Sequence, residues 1–314
     1  MSNFVSIRLK KVIYSGESVG RDISLGISLL DKNINLNTRL QRGQERNYNK
    51  TLFQGIVGVE NKLPIGFSVI ERDLIKDDEG YTSGTLTLSS NTTESKFDVP
   101  VSEFRVVGRK IKTAFFTFVI ESTVTNSIRY TSDVWPKGWL MVRDEGSGER
   151  ILIPQFLKLE LMKIKDGRDH FKILEGKFKG KIMSVRKKSK THSYLLDNIY
   201  HEQAAELIFK QEEKLLIVKG LGTYSNIAMK TSNLIPFGTY DLELPWEIHP
   251  IARRYSGYAM TWFRIGNEGD RFLHTGSVSL GCITVKDTEK WTEIYNFLIR
   301  RRKDNSSVGT IRIE

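Results

Sequence analysis

Short runs of Val, Ile, Thr and aromatic residues, cut by Gly, Asp and Asn, recur along almost the whole 314-residue chain. Ile65-Gly-Phe-Ser-Val-Ile70, Lys76-Asp-Asp-Glu-Gly80 and Thr82-Ser-Gly-Thr-Leu-Thr-Leu88 show the pattern: strand, turn, strand. That rhythm excludes a helical bundle and predicts a mainly β protein. Only one late segment changes period. From Asp287 or Thr288, either of which can cap a helix, Trp291, Ile294, Tyr295 and Leu298 fall on one helical face, with Arg300, Arg301 and Arg302 at the end where cations suit the dipole.

Three β-rich domains are expected. Residues 1–125, with further strands at Phe104-Arg-Val-Val and Ile111–Ile120, read as an N-terminal β-sandwich of unassigned role. The polar stretch Glu121–Ser127 reads as a turn-forming boundary. Residues 126–190 form a small middle domain, with strands at Trp139–Val142, Arg150–Ile153, Leu157–Leu161 and Phe171–Leu174. Residues 191–314 form a C-terminal β-rich domain ending in the helix, opened by a hairpin of Glu206–Lys210 and Lys214–Lys219. One cysteine excludes an internal disulfide. The opening MSNFVSIRLKKVIYSG breaks into charge too early for a signal-peptide core, and no stretch approaches a membrane span, so a chain without a Sec-type address is expected.

Forty-eight Lys and Arg against 37 Asp and Glu give a formal charge of +11. Such a field attracts nucleic acid, anionic lipid and cell-wall polymers alike and selects none of them. In the densest basic segment, Gly176–Lys190, Lys177, Lys179 and Lys181 alternate with Phe178 and Ile182, which predicts a strand with cations on one face.

The lone cysteine lies in Phe272-Leu-His-Thr-Gly-Ser-Val-Ser-Leu-Gly-Cys282-Ile-Thr-Val285. A thiol attacks as thiolate and needs a nearby imidazole or positive potential, which His274 can supply. In a hairpin closing through Gly276–Ser279, positions 274 and 282 are symmetric about Val278, with Cβ atoms roughly 4.5–5.5 Å apart. Gly281 admits a substrate carbonyl close to the backbone, where the N–H groups of Gly281 and Cys282 face a developing oxyanion. Thr275 and Ser279 are candidates for orienting the imidazole or for serving the turn. From spacing alone, a small buried hydrophobe fits Cys282 better than a nucleophile does.

Ser279-Leu-Gly-Cys-Ile283, with His-x-Gly at 274–276, resembles the active-site signature of the L,D-transpeptidase (YkuD-type) family. Ile235-Pro-Phe-Gly-Thr-Tyr240 is similar to an early-strand segment of the same domain. The resemblance covers about residues 200–314. It implies a cysteine acyl-transfer enzyme acting on peptidoglycan stem peptides: Cys282 attacks the carbonyl before a terminal D-amino acid, His274 serves as base and then acid, and water or an amine resolves the thioester. Hydrolysis gives L,D-carboxypeptidase activity, and exchange gives transpeptidation. Two departures stand out: Leu280 replaces the family's histidine, and the loop after His274 is short. The short loop is similar to L,D-transpeptidase-like antibacterial toxins of type VI secretion. That subgroup implies synthesis in a bacterial cytoplasm, action in the periplasm or wall of a target cell, a secretion-machine partner and an immunity protein. The departure at Leu280 keeps open a fold that binds without catalysis, and the charge keeps open a nucleic-acid or anionic-lipid binder.

Trp246, Tyr255, Tyr258, Trp262 and Arg264 precede the motif. Tyr258, Trp262 and Arg264 are substrate-binding candidates, with Arg264 facing a carboxylate. No cofactor is expected. The Asp73, Asp77, Asp78 and Glu79 cluster reads as an acidic turn, with a loose likeness to the Ca2+ loops of C2-type domains. His170, His192, His201 and His249 show no metal-ligand spacing, and no glycine-rich nucleotide cradle precedes a helix.

Overall fold

The computed structural model describes residues 3–57, 61–72, 77–105, 110–134, 136–189, 192–229, 234–266 and 270–314. The chain divides into two compact units, residues 1–127 and 128–314. Both are built mainly of β-strands, as the apolar rhythm predicts.

The first unit contains β1 (Asn3–Gly16), β2 (Asp22–Leu29), β3 (Lys32–Arg39), β4 (Glu45–Val57), β5 (Lys62–Glu71), β6 (Asp78–Thr87), β7 (Thr93–Arg105) and β8 (Lys110–Asn126). They form two four-stranded antiparallel sheets, β4-β1-β8-β7 and β3-β2-β5-β6. Alternation places Val5, Ile7 and Leu9 of β1 in the core; a bulge at Lys10 then shifts the parity, so that Val12 and Tyr14 follow them inward. Phe67 of β5 meets Phe118 of β8 with ring centroids 4.6 Å apart, joining the two sheets.

The polar stretch after Glu121 is not a turn. It finishes β8, where Glu121–Asn126 pairs residue by residue with Arg8–Asn3. Its alternating hydroxyls and Val124 suit a half-exposed strand, and β1 requires a partner for its backbone groups. Asp73 lies outside the described residues. Asp78 begins β6, and among the described residues no group of three or more His, Cys, Asp or Glu side chains is arranged to hold a metal.

The second unit begins with a seven-stranded antiparallel sheet. Its strands are β9 (Ile128–Thr131), β10 (Trp139–Asp144), β11 (Arg150–Pro154), β12 (Lys158–Lys165), β13 (Arg168–Ile173), β14 (Ile182–Arg186) and β15 (Leu195–Leu196), in the order β11-β10-β14-β13-β12-β9-β15. Residues 126–190, expected as a separate domain, largely supply this sheet, and it belongs to one compact unit with the C-terminal residues. The boundary expected at 190 and 191 falls outside the described residues, as does Lys190.

Lys177–Gly180 is a turn and not the expected strand. Gly176 and Gly180 at its ends hold φ of +68° and +90°, conformations that glycine favours and that break strand pairing. The cations do not share a face: Lys177 lies 3.2 Å from the Trp246 ring centroid, while Lys181 binds Asp144 at 2.9 Å.

The remaining strands are β16 (Ala205–Lys210), β17 (Leu215–Val218), β18 (Gly222–Ser225), β19 (Gly238–Glu243), β20 (Phe263–Gly266), β21 (Phe272–Thr275), β22 (Ile283–Val285) and, after helix α1 (Trp291–Ile299), β23 (Ser307–Ile313). They form an eight-stranded sheet ordered β18-β17-β16-β23-β19-β20-β21-β22, in which β16–β23 and β21–β22 are parallel. The expected hairpin of β16 and β17 is present. The helix has the expected inward face, with Trp291, Ile294, Tyr295 and Leu298 fully buried. They pack with Phe263, Ile265, Leu273 and Ile283 in the C-terminal core. Among the described residues, no helix is long and apolar enough to cross a membrane.

β23 runs between β16 and β19 and needs a glycine where it crosses Ala205. A Cβ on Gly309 would stand 2.1 Å from the Ala205 carbonyl oxygen and 2.7 Å from its carbonyl carbon and nitrogen. We expect Gly309→Ala to lower the unfolding free energy by about 1–3 kcal/mol, read as a lower midpoint in urea denaturation; an unchanged midpoint would contradict the β16–β23 register.

Candidate functional site

β20, β21 and β22 close one end of the eight-stranded sheet. Phe263, Ile265, Leu273 and Ile283 point to the core beneath α1. Strand alternation therefore puts Trp262, Arg264, Phe272, His274 and Thr284 on the other face. Cys282 immediately precedes β22 and continues that face beside Phe272, whose backbone hydrogen-bonds the thiol.

β21 and β22 are parallel: Leu273 pairs with Ile283, His274 with Thr284 and Thr275 with Val285. The expected antiparallel hairpin, with His274 directly facing Cys282, is corrected on this point. Residues 276–282 instead form a loop that returns the chain to the start of a second strand in the same direction. The far edge of β22 fixes that direction: Ile227 N–H donates to Thr284 O and Lys286 N–H to Ser225 O, both at 2.9 Å. Cys282, one residue before the partner of Leu273, thus lies diagonal to His274 across the two strands.

The imidazole is 6% exposed and oriented on three sides. Nδ1 donates to the Thr275 carbonyl at 2.8 Å, Nε2 lies 3.2 Å from Thr284 Oγ1, and the ring stacks on Trp262 with centroids 4.2 Å apart. Burial pushes the pKa of His274 down, against the opposing pull of the Thr275 carbonyl. In the neutral ring, Nδ1 carries the hydrogen and Nε2 accepts from the Thr284 hydroxyl. Burial also pushes the Cys282 thiol up; the Phe272 hydrogen bond and Arg271 act in the opposite sense without reversing it. Burial therefore favours the neutral form of both groups, thiol and imidazole.

The supporting residues divide. Ser279 Oγ donates to the Cys282 carbonyl at 2.7 Å and Thr275 Oγ1 to the Val285 carbonyl at 3.0 Å, so both hydroxyls hold the backbone and not the imidazole. Gly281, at φ +115°, has a conformation that favours glycine, and its N–H turns toward Ser279 Oγ at 3.4 Å. Of the two expected oxyanion donors, the first is thus engaged within the loop, and the Cys282 N–H remains the candidate. Tyr255 hydrogen-bonds Ser277 at 2.6 Å and ties the loop to the 3-10 turn of Pro250–Arg254. Val278 and Leu280 project from the loop, 63% and 67% exposed.

Trp262 lies in the site, its indole sandwiched between His274 and His249, the latter at 3.9 Å and nearly parallel. Arg264 reaches the same face but turns toward Glu243 at 3.5 Å, where it lines a cavity of about 770 Å3 with Tyr240, Asp241, Trp246 and Lys177. Tyr258 is placed elsewhere: it stacks on Tyr295 at 4.4 Å and donates to Asp133 at 2.6 Å, and burial with that bond pushes its pKa up to about 12. The sequence motif did not single out Thr284 or His249. Thr284 was legible from alternation, two positions beyond Cys282; His249 was not, since only folding brings it onto Trp262.

No protein-family model matches the chain, and no curated protein matches it. Among solved structures, it is similar to a single C2 domain, the A domain of plant extended synaptotagmin 1, at 12% identity over 39% of this chain and 94% of that one, with a TM-score of 0.27. It is also similar to the paired C2 domains of calcium-bound extended synaptotagmin 2, at 7% identity over 58% and 83%, and to human GIVD cytosolic phospholipase A2, at 9% identity over 66% and 30%; both TM-scores are 0.27. The chain thus spans under a third of the phospholipase. Superpositions this loose carry no assignment of fold or function.

Burial, with the neighbouring His274, lowers His249 from 6.5 to about 4. Because the folded pKa lies below the unfolded one, the unfolded chain takes up the proton first; the stability so contributed is complete above about pH 6.5 and is lost as pH falls toward 4. His249→Phe keeps a ring on Trp262 and removes the titration. Its urea midpoint is expected to change less than the wild-type value between pH 7.5 and pH 4.5, and equal changes would count against a buried neutral His249.

Proposed function

We propose that the chain is a cysteine acyl-transfer enzyme of L,D-transpeptidase type acting on peptidoglycan stem peptides. What supports this reading is His274 on β21, with Nδ1 committed to Thr275 O and Nε2 left as the basic nitrogen, and Cys282 at the start of the neighbouring parallel strand β22. A substrate carbonyl entering beside the exposed loop 276–282 meets Sγ. His274 Nε2 exchanges its Thr284 contact for the thiol proton as Sγ attacks the carbonyl carbon. The Cys282 N–H faces the oxyanion, and the imidazolium returns the proton to the departing amine of the D-residue. Water or a second amine then opens the thioester, giving hydrolysis or exchange. The cavity at Arg264 offers cations and carboxylates together, which suits the zwitterionic part of a stem peptide. Action on the wall of a target cell after type VI delivery, with an immunity partner, rests on the short-loop resemblance.

A second reading is a protein that keeps the fold and binds without catalysis. It is favoured by one observation: the thiol is pushed up, whereas activated cysteines are lowered.

Incubation with tri-, tetra- and pentapeptide muropeptides plus a free D-amino acid, followed by mass spectrometry, separates the two. Loss or replacement of the terminal D-residue is expected, abolished in Cys282→Ala and lowered about 10²–10⁴-fold in His274→Gln. Unchanged muropeptides, with a thiol that alkylates slowly, would favour the binder. A base that must be neutral and has a lowered pKa further predicts a kcat/KM whose acid limb is centred below pH 6.5; a drop centred above 6.5 would contradict this mechanism.

A further inference from the structure

The outer face of the seven-stranded sheet gathers positive charge in an unusual register. Arg143 of β10 stands directly opposite Arg150 of β11, and Arg168 of β13 directly opposite Arg186 of β14. Arg168 also faces Lys165 of β12. Like charges in directly opposed positions repel and destabilise a sheet. Two such arginine pairs lie close together, because Arg143 pairs across β10–β14 with Ser184, two residues from Arg186.

All four arginines line one open cavity of about 780 Å3, together with Met141 and Tyr194. Arg168 is partly held by Ser184, through Nε to Oγ at 2.8 Å and Nη2 to the carbonyl at 3.0 Å. Arg143, Arg150 and Arg186 form no ion pair with a carboxylate among the described residues. The acid beside the cluster is Glu145, which accepts from Ser184 Oγ at 2.5 Å and lies 3.5 Å from His170. Among the described residues, four guanidinium groups are therefore set against the carboxylate of Glu145.

We propose that this cavity binds a ligand bearing two adjacent phosphate groups. Guanidinium forks match phosphate oxygens bidentately, and each opposed pair can clasp one phosphate. A single carboxylate would leave most of the charge uncompensated. The concave shape suits a compact group entering the sheet face and not contact with a flat surface. The diphosphate is either a free soluble compound or the head of a lipid. The inference is independent of the cysteine site, which lies on the other sheet of this unit.

The test is calorimetric titration of the full chain with inorganic pyrophosphate and, separately, with sulfate, at about 0.15 M salt to screen non-specific attraction. Pyrophosphate is expected to bind at least tenfold more tightly than sulfate. In Arg143→Gln/Arg186→Gln that affinity should fall at least tenfold, while the ligand-free Tm equals or exceeds that of the wild type because repulsion has been removed. If this double variant does not fold, Arg150→Gln carries the same expectation. Equal affinity for the two anions, or undiminished pyrophosphate binding by a folded variant, overturns the proposal. Vesicles containing a diphosphate lipid distinguish the source. Selective retention over phosphatidylglycerol vesicles indicates the lipid head, pyrophosphate binding without retention indicates the soluble compound, and equal retention on both vesicles overturns the proposal in favour of a plain anionic surface.

Discussion

The second unit depends on a buried ion pair. Arg302, just beyond α1, meets Glu175, just beyond β13, at 2.8 Å, with side chains 7% and 2% exposed. Two charges withdrawn from water are tolerated only when their remaining hydrogen-bonding groups are also satisfied. Further bonds support the pair: Arg302 donates to the carbonyls of Phe156, Ile299 and Arg301, and Glu175 Oε1 accepts from Lys158 N–H. Trp139 Nε1 to Thr261 at 2.8 Å and Gly176 N–H to Asn305 O at 2.6 Å add to the same seam. The seven- and eight-stranded sheets belong to one compact unit. The arginine run at the helix end is divided accordingly: Arg301 reaches back to the Phe297 carbonyl at the helix terminus, while Arg302 locks the seam.

Low polarity around the cysteine sets the chemistry available there. Buried against Trp262 and bonded through Nδ1, His274 is held neutral, and burial likewise keeps the thiol of Cys282 neutral. Such a pair differs from a preformed thiolate–imidazolium, since the proton has to move during attack. The parallel register explains why Thr284 meets Nε2: it is the residue directly across from His274, whereas Cys282 is diagonal.

Positive charge is organised differently from what composition suggests. The basic segment at 177–189 divides: Lys177 and Lys181 flank a turn and go to Trp246 and Asp144, while Arg186, at the end of β14, reaches the arginine cavity. Arginines from four separate strands instead converge on one cavity. Sequence density of charge and spatial density of charge are set by different things: the first by neighbours along the chain, the second by strand register.

Legible in the residues alone were the β class, the terminal helix with its Trp291–Leu298 face, the hairpin of β16 and β17, and the candidacy of His274 and Cys282. Each of these is written in local period, turn chemistry or residue type, which act over a few positions. Only the tertiary structure decided that β21 and β22 run parallel, that Thr284 and the Thr275 carbonyl hold the imidazole, that His249 stacks on Trp262, and that Glu121–Asn126 is strand and not linker. Those outcomes depend on which distant segment supplies the backbone partners of a strand: Ser225–Ile227 for β22, and Asn3–Arg8 for the end of β8. Alternation fixes which side chains share a strand's face, but the direction and register of its neighbour are settled only when long-range hydrogen bonds and a common core are satisfied together.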